Sequence, residues 1–504
     1  MFPPGWESCS QRLGIVFPTA GNRIPDRSGI VCIPETGFPV LCKNGRDCFA
    51  LSAFCVIFAS ENRGISMDIQ EIYKIYRQHP VVTTDSRSCP AGSIFIALKG
   101  ASFDGNRFAE AALQKGCSYA VVDEAEYAKA GDARFILVDD ALVTYKELAR
   151  AHRRRFGIPV IGITGTNGKT TSKELISAVL SEKFNVHATE ANYNNDVGVP
   201  RTLLGIRPEH DIAVIEMGAS HPGDIEKLVR YVEPTCGLIT NVGRAHLQGF
   251  GSFEGVKRTK GELYDFLKAH GGLLFLNESN ADLTEMAEQR EFDRIVTYGQ
   301  DSTADVQGQV VSCAPFLKFT WRALNTPQPS SNTYEVQTRL VGSYNLDNML
   351  AAISVGLHFG VTAQQVNHAL ENYIPRNNRS QLTETAHNRL IVDAYNANPS
   401  SMSAAIENFR LMQVENKMAI LGDMRELGEA SGEEHQRVVG ELEAAGIDDV
   451  WLVGEEFGKT RCAFRKFRDV EEVKAEIERR RPEGHYILIK GSNGIKLFEL
   501  PALL

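Results

Sequence analysis

IPVIGITGTNGKTT, residues 158–171, is the stretch from which the rest of the chain can be read. An apolar, β-branched run (Ile158, Val160, Ile161, Ile163) ends in glycines, then Lys169, Thr170 and Thr171, and a helix-like SKELISAVLSEKF follows. Strand, glycine loop, lysine, hydroxyl and helix together describe a phosphate cradle. Glycines let backbone N–H groups come close to phosphate oxygens, and the helix N-terminus adds a field that favours anions. Lys169 would reach the β/γ-phosphates of a nucleotide, and the Thr170 hydroxyl would bind Mg²⁺. The strict phosphate-loop pattern is missed. Its first glycine would fall at Ile163, whereas the chain has Gly162 and Gly165. Taken alone, GKTT after a strand also describes an ordinary strand–helix turn; the flanking strand and helix favour the cradle.

The chain has 504 residues, too many for one core, and about three domains are expected. Its 43% hydrophobic and 23% charged residues are globular values. A net charge of −9 argues against a general nucleic-acid or membrane-surface binder. An anionic nucleotide must then be held by a local site. Of ten cysteines, Cys9, Cys32, Cys42, Cys48 and Cys55 lie in the first 55 residues and the rest are scattered without CxxC spacing. That scatter fits unpaired thiols in a reducing cytosol. The apolar run 49–59 is too short to span a bilayer and too far from Met1 for an ordinary signal peptide. The expectation is a cytoplasmic protein without membrane insertion.

Residues 1–66 are rich in Cys, Pro and Gly and show no sustained period. They read as an extension or a misplaced start, because helical spacing begins at MDIQEIYKIYRQ from Met67. Residues 67–150 read as a small α/β domain. Residues 151–375 hold the phosphate loop and repeated strand-then-helix segments (DIAVIEMG, CGLITNVG, GLLFLNE), a doubly wound ATPase-type domain. Within it, 303–341 alternates in strand fashion and reads as a β-rich insertion. From 376 to 504 a third, Rossmann-like α/β pattern runs through RLIVDAYNANP, KMAILGDMRELG, DVWLVGEEFG and YILIKGSNG. Ligands of open α/β sheets sit beyond the carboxyl ends of strands, so these loops are where chemistry is sought.

Glu216 ends the strand DIAVIEMG and would hold Mg²⁺ with Thr170, unless it is a solvated strand-end acid. His246 also follows a strand, and Lys260 lies on a later helix, where a surface lysine is the bland reading. Asn194 and Asn195 sit in NYNNDVGVP, suited to amide and peptide groups or to a plain turn. Asn345 and Asn348 either cap a helix or read an adenine edge. Asn398 and Pro399 look like N-cap and N1 of a helix. Asp393, at a strand end, would accept from ribose hydroxyls.

Taken together, these residues resemble the Mur ligases of peptidoglycan synthesis, from Met67 to the end of the chain. The motifs that carry the resemblance are TDSR…IFIALKG…DG, GTNGKTT, NYNNDVGVP, VDAYNANPSSM and LGDMRELG. Within the family YNANP resembles the branch that adds a dipeptide, and not the ligases that add single amino acids or folylpolyglutamate synthase. The resemblance implies that ATP phosphorylates the terminal carboxylate of UDP-N-acetylmuramoyl-tripeptide and that the amine of D-Ala-D-Ala attacks the acyl phosphate. It implies that Gly165, Thr166, Asn167, Gly168, Lys169, Thr170 and Thr171 hold the phosphates. Thr170 and Glu216 would share one Mg²⁺, and His246 and Lys260, the latter carbamylated by CO₂, would serve a second. Asn345 and Asn348 would approach adenine, Arg379 the ATP phosphates and Asp393 the ribose. Asp85, Ser86, Arg87, Lys99, Gly100, Asp104 and Gly105 would face the uridine nucleotide. Asn194, Asn195, Tyr395, Asn396 and Asn398 would lie near peptide and dipeptide. Two positions depart from the family pattern: Tyr344, where His is common, and Asn378, where Gly is common. The implied protein is a monomer. A single-residue ligase, and a nucleotide switch that ligates nothing, are the rival readings.

Overall fold

The computed structural model describes residues 67–300, 303–325, 330–375, 381–447 and 449–504. Within the first 66 residues it also describes the backbone of three antiparallel strands, Ile30–Cys32, Val40–Lys43 and Asp47–Ala50. The reading of 1–66 as an extension otherwise lies outside the described residues.

Helix Ile69–Gln78 turns Ile72 and Tyr76 into the core, as the spacing from Met67 predicts. It accompanies a parallel sheet in the order Val82–Thr83, Ile94–Ile96, Tyr119–Val122, Phe135–Leu137. Helix Ala141–Arg153 follows, N-capped by Asp140, whose carboxylate accepts from the Val143 N–H. This helix crosses position 150 and binds the first unit to the second. His152 Nε2 lies 2.8 Å from the Ile206 carbonyl oxygen, and the Arg153 guanidinium donates to the carbonyls of Val232 and Glu233, both at 3.1 Å.

The central sheet has nine strands. Val186–Ala188, Ile212–Glu216, Val160–Thr164, Cys236–Ile239, Leu273–Asn277 and Ile295–Gly299 are parallel, in that order. Strand alternation sends Ile161, Ile163 and Val214 to one face, against Leu175, Ile176 and Val179 of helix Lys169–Ser181 and Met349, Leu350 and Ile353 of helix Leu346–His358. Val160, Ala213 and Ile215 go to the other, against Ile225 and Leu228 of helix Asp224–Val232 and Leu263 and Leu267 of helix Phe253–Ala269. Covering both faces is what a parallel sheet requires. The β-rich stretch is built onto the central sheet. Val306–Cys313, Phe316–Ala323 and Ser330–Val341 continue the edge of the same sheet, the last two antiparallel.

The third sheet runs Gln381–Glu384, Arg389–Asp393, Tyr486–Lys490, Lys417–Gly422, Asp449–Val453, Arg465–Phe467, parallel apart from its first strand. Among the described residues no helix is long and apolar enough to cross a membrane.

Candidate active site

The carboxyl ends of the central and third sheets face each other across a cleft of about 770 Å³. Its floor is the phosphate loop. Strand Val160–Thr164 is wholly buried and delivers the chain to Gly165, whose φ of 144° suits only glycine. A Cβ there would meet the Thr240 hydroxyl at 2.0 Å. Gly168, at φ 76°, is the N-cap of helix Lys169–Ser181, and its Cβ would meet Asn348 at 2.7 Å. The loop is held from the next strand end. Asn241 accepts from the Thr166 and Asn167 N–H groups through its carbonyl and side chain, at 2.9 and 3.0 Å. The Lys169 ammonium folds back onto the carbonyls of Gly165 and Thr166, at 2.7 and 3.1 Å.

Glu216 stands in register beside Ile163 on the neighbouring strand, and is only 1% exposed. The reading as a solvated acid is therefore excluded. Its Oε1 accepts from the Thr170 hydroxyl (3.2 Å) and the Asn194 amide (2.8 Å), while Oε2 is buried without a hydrogen-bond partner. A buried carboxylate oxygen left open costs free energy unless something fills the place. With the Thr170 oxygen alongside, it fits a hard cation that takes the rest of its shell from phosphates and water.

Lys260 is not on the surface: it is 2% exposed, on the inner face of helix Phe253–Ala269. Burial holds its amine well below the ordinary lysine range, and the nearby Lys169 charge adds to this, against Asp224 and Glu262. Its nitrogen lies 5.5 Å from the centre of the Phe250 ring, and His246 meets the same ring edge-on at 6.2 Å. His246 sits at φ 50° and faces the Glu426 carboxylate of the third domain. Burial pushes its imidazole pKa down; Glu426 opposes this, and Lys169 and Lys260 add to it.

The adenine candidates are tied into the protein. Asn345 and Asn348 are buried; the Asn345 amide donates to Val341, the Asn348 amide to Asn345, and Ser172 donates to Asn348, all at 2.9 Å. Both still line the cleft beside Tyr344. Asn195 accepts from the Val197 and Gly198 N–H groups just ahead of helix Gly198–Leu204, while also lining the cleft. Asp393 ends its strand as expected, with an unforeseen partner. Lys490, 1% exposed on the adjacent strand end, donates to it at 2.5 Å and to the Asn396 carbonyl at 3.2 Å. A lysine closing the otherwise apolar run YILIK is the signal that could have found it.

Asn398 is the N-cap of helix Pro399–Leu411, in a capping box with Ser401. Its amide also reaches across to Asn167 Oδ1 at 2.8 Å. Nearby, the Ser400 hydroxyl accepts from the Arg244 N–H at 3.0 Å and Glu434 pairs with the Arg244 guanidinium at 3.2 Å. Tyr395 and Asn396 line the same cleft. Arg379 lies outside the described residues.

The first-domain candidates do not line this cleft. They gather at the carboxyl ends of their own sheet. Asp85 accepts from the Arg87 N–H and is gripped by its guanidinium at 2.9 Å, which lowers the carboxyl pKa to about 2. Ser86 offers its carbonyl to Lys115. Lys99 bridges Asp123 and Glu124, both at 2.8 Å, which raises its pKa. Gly100 belongs to the hairpin Lys99–Gly100/Phe103–Asp104, Asp104 accepts from Asn106, and Gly105 passes so close to the Leu98 carbonyl that a Cβ would sit 2.4 Å from it.

Three family profiles match the chain: "Mur ligase family, catalytic domain" over residues 80–162, "Mur ligase middle domain" over 163–356 and "Mur ligase, glutamate ligase domain" over 378–493. A UDP-N-acetylmuramoyl-tripeptide–D-alanyl-D-alanine ligase of Synechocystis sp. is 35% identical over 423 residues, 82% of this chain and 90% of that one. Its namesake in Bacillus subtilis is 33% identical over 433 residues, 83% and 92% of the two chains. Among solved structures, MurF from Acinetobacter baumannii superposes with a TM-score of 0.78 at 28% identity, covering 87% of this chain and 99% of that one. MurF from Thermotoga maritima in complex with ADP gives 0.75 at 25% identity, covering 84% and 97%.

Proposed function

This chain belongs to the Mur ligase family, and from that premise we propose that it joins D-Ala-D-Ala to UDP-N-acetylmuramoyl-tripeptide, with ATP going to ADP and phosphate. The observation that carries the reading is the Asn398–Asn167 hydrogen bond. It sets the YNANP loop of the third domain directly on the phosphate loop of the second, so the nucleotide and the incoming dipeptide share one cleft.

The chemistry follows from the site. A carboxylate is a poor electrophile, so its oxygen first takes the γ-phosphoryl group of ATP and ADP departs. The dipeptide amine then attacks the acyl carbon, the tetrahedral adduct expels phosphate, and the amine proton is lost to solvent or base. The protein mainly positions reactants and neutralises charge. Lys169 leaves its two carbonyls for the β/γ-phosphates. Thr170 and Glu216 would hold Mg²⁺, and the open Oε2 of Glu216 is the oxygen available to it. Mg²⁺ there would neutralise phosphate charge as the γ-group moves. His246 and Lys260 would serve a second ion. An ammonium has no lone pair and cannot ligate; an amine whose pKa burial lowers gives up its proton more readily and can take up CO₂, and the resulting carbamate presents oxygens. Asp393, oriented by Lys490, accepts from the ribose. Asn345, Asn348 and Tyr344 border the base. Asn194 holds Glu216 while facing the peptide with Asn195, Tyr395 and Asn396. Asp85, Ser86, Arg87 and Lys99–Gly105 receive the uridine nucleotide on the first domain.

The test is purified protein with ATP, Mg²⁺, UDP-muramoyl tripeptide and D-Ala-D-Ala, with products read by mass. Pentapeptide is expected only with the dipeptide. Equal yield with D-Ala alone would make this a single-residue ligase. ADP release indifferent to the UDP substrate would make it a nucleotide switch.

A further inference from the structure

We propose that Glu426 is a positioning residue for His246. Its carboxylate, brought by the third domain, takes the Nδ1 hydrogen and leaves Nε2 to hold a divalent cation, so the second metal position is completed only when the third domain is seated on the second. The inference rests on the reading of His246 as a metal ligand.

Glu426 belongs to the LGDMRELG motif, 180 positions from the histidine. Its Oε2 faces His246 Nδ1 across the interface, an ion-pair contact whose angle falls short of a hydrogen bond and that a small turn of the ring would make one. Both residues hold left-handed backbone, at φ 50° for His246 and 64° for Glu426. Such conformations are unfavourable for non-glycine residues and persist where the surroundings dictate them. Here the surroundings lock together. The Gln248 N–H donates to the Glu426 carbonyl at 3.4 Å, and a Cβ on Gly428, at φ 58°, would come within 3.4 Å of the Gln248 side chain. A neutral imidazole has one N–H and one lone pair, so a carboxylate on Nδ1–H fixes the lone pair on Nε2. Carboxylate–histidine–metal chains of this kind orient the ring and raise its basicity. His246 and Lys260 flank the same Phe250 ring, which places the imidazole and the lysine nitrogen in one neighbourhood. Because Glu426 comes from another domain, a cation there favours the seated arrangement, and seating favours the cation, by the same factor.

The test counts Mn²⁺ on the full chain by electron paramagnetic resonance, with a non-hydrolysable ATP analogue present. Wild type should bind two ions. Glu426→Ala should weaken one of them by about 10–100-fold and leave the other unchanged. Glu426→Gln, whose amide oxygen still accepts from Nδ1–H, should fall between. If the alanine variant folds poorly, Glu426→Asn tolerates the positive φ but is too short to reach the ring, and takes its place. Two ions at wild-type affinity in the truncated variants overturn the inference, as does an equal loss at both. A single ion in wild type itself overturns the reading of His246 as a ligand, before any substitution is made.

Discussion

Lys260 carries a free-energy penalty that its position explains. Burial keeps its amine well below the ordinary lysine range. Between the native and unfolded values, the unfolded chain binds a proton that the native state refuses. Stability therefore falls as pH drops through the ordinary lysine range near 10.4, and goes on falling until the native amine itself protonates, below which the full penalty remains. Lys260→Met should accordingly raise urea resistance at pH 8 in CO₂-free buffer, with the advantage fading as pH rises toward about 10.4. The same variant should lose turnover by at least about 100-fold, since even partners behind a ligand cost 10–100-fold. A stabilised and fully active variant would return Lys260 to a packing role. Asp393 and Lys490 form the converse case, a charge with its partner in place. Asp393→Asn should raise the KM for ATP and leave UDP-substrate binding alone, checked by initial rates and by calorimetric titration. Lys490 is buried and Asp393 half-buried, so breaking the pair should cost less than the about 3–5 kcal/mol of a fully buried one, and Lys490→Met is expected to lower the Tm more than Asp393→Asn, which keeps an acceptor. The lysine closing YILIK marks a strand-end charge, but which acid it pairs with is not legible in the sequence. Residues 97 positions apart meet only through strand order, and a chain read locally cannot show which strands are neighbours.

At the level of elements, local pattern tells most. The strand–loop–helix at 158–181, the caps at Asn398 and Pro399 and the long helix from Leu346 all follow from apolar period and terminal chemistry. Alternation over 303–341 correctly indicates strands, yet period 2 says nothing about which sheet edge they join, here that of the central sheet. Asn345, Asn348 and Asn195 show a second limit. An asparagine at a helix start serves cap, packing and ligand alike, and only the hydrogen-bond partners separate these roles. Asn398 offers a way to separate them by experiment. As an N-cap it is replaceable by Asp, but its amide donation to Asn167 is not. Asn398→Asp should keep the Tm within a degree or two while raising the KM for ATP, because a carboxylate now faces the phosphate loop. Asn398→Ala should lose both cap and bridge, with about 1 kcal/mol of stability gone. A carboxylate variant with unchanged KM would leave Asn398 a cap and nothing more.

For the whole molecule, the question is how an acyl phosphate survives long enough to meet an amine. The cleft is walled by two domains that meet around it through polar contacts, Asn398 on Asn167, Ser400 on the Arg244 backbone, Glu434 on the Arg244 guanidinium and Glu426 on His246, while Val341 of the central sheet packs into the third domain's apolar cluster. Interfaces of this kind open and close, and closure excludes water while completing the site. Arg244 is the exposed member. Its side chain is 62% exposed while Glu434 is nearly buried and keeps Arg437 as a second partner. Arg244→Ala should therefore change stability by no more than about 0.5 kcal/mol. Its effect should fall on coupling. With the clamp weakened, the closed state is visited less and water reaches the acyl phosphate before the dipeptide does. ADP should then be released in excess of pentapeptide, where wild type gives close to one for one, and the excess should shrink as D-Ala-D-Ala is raised, because bound dipeptide competes with water for the same carbon. ADP and pentapeptide measured in the same reaction decide the matter. A ratio that stays at unity at every dipeptide concentration would mean that the remaining contacts keep the cleft closed without Arg244.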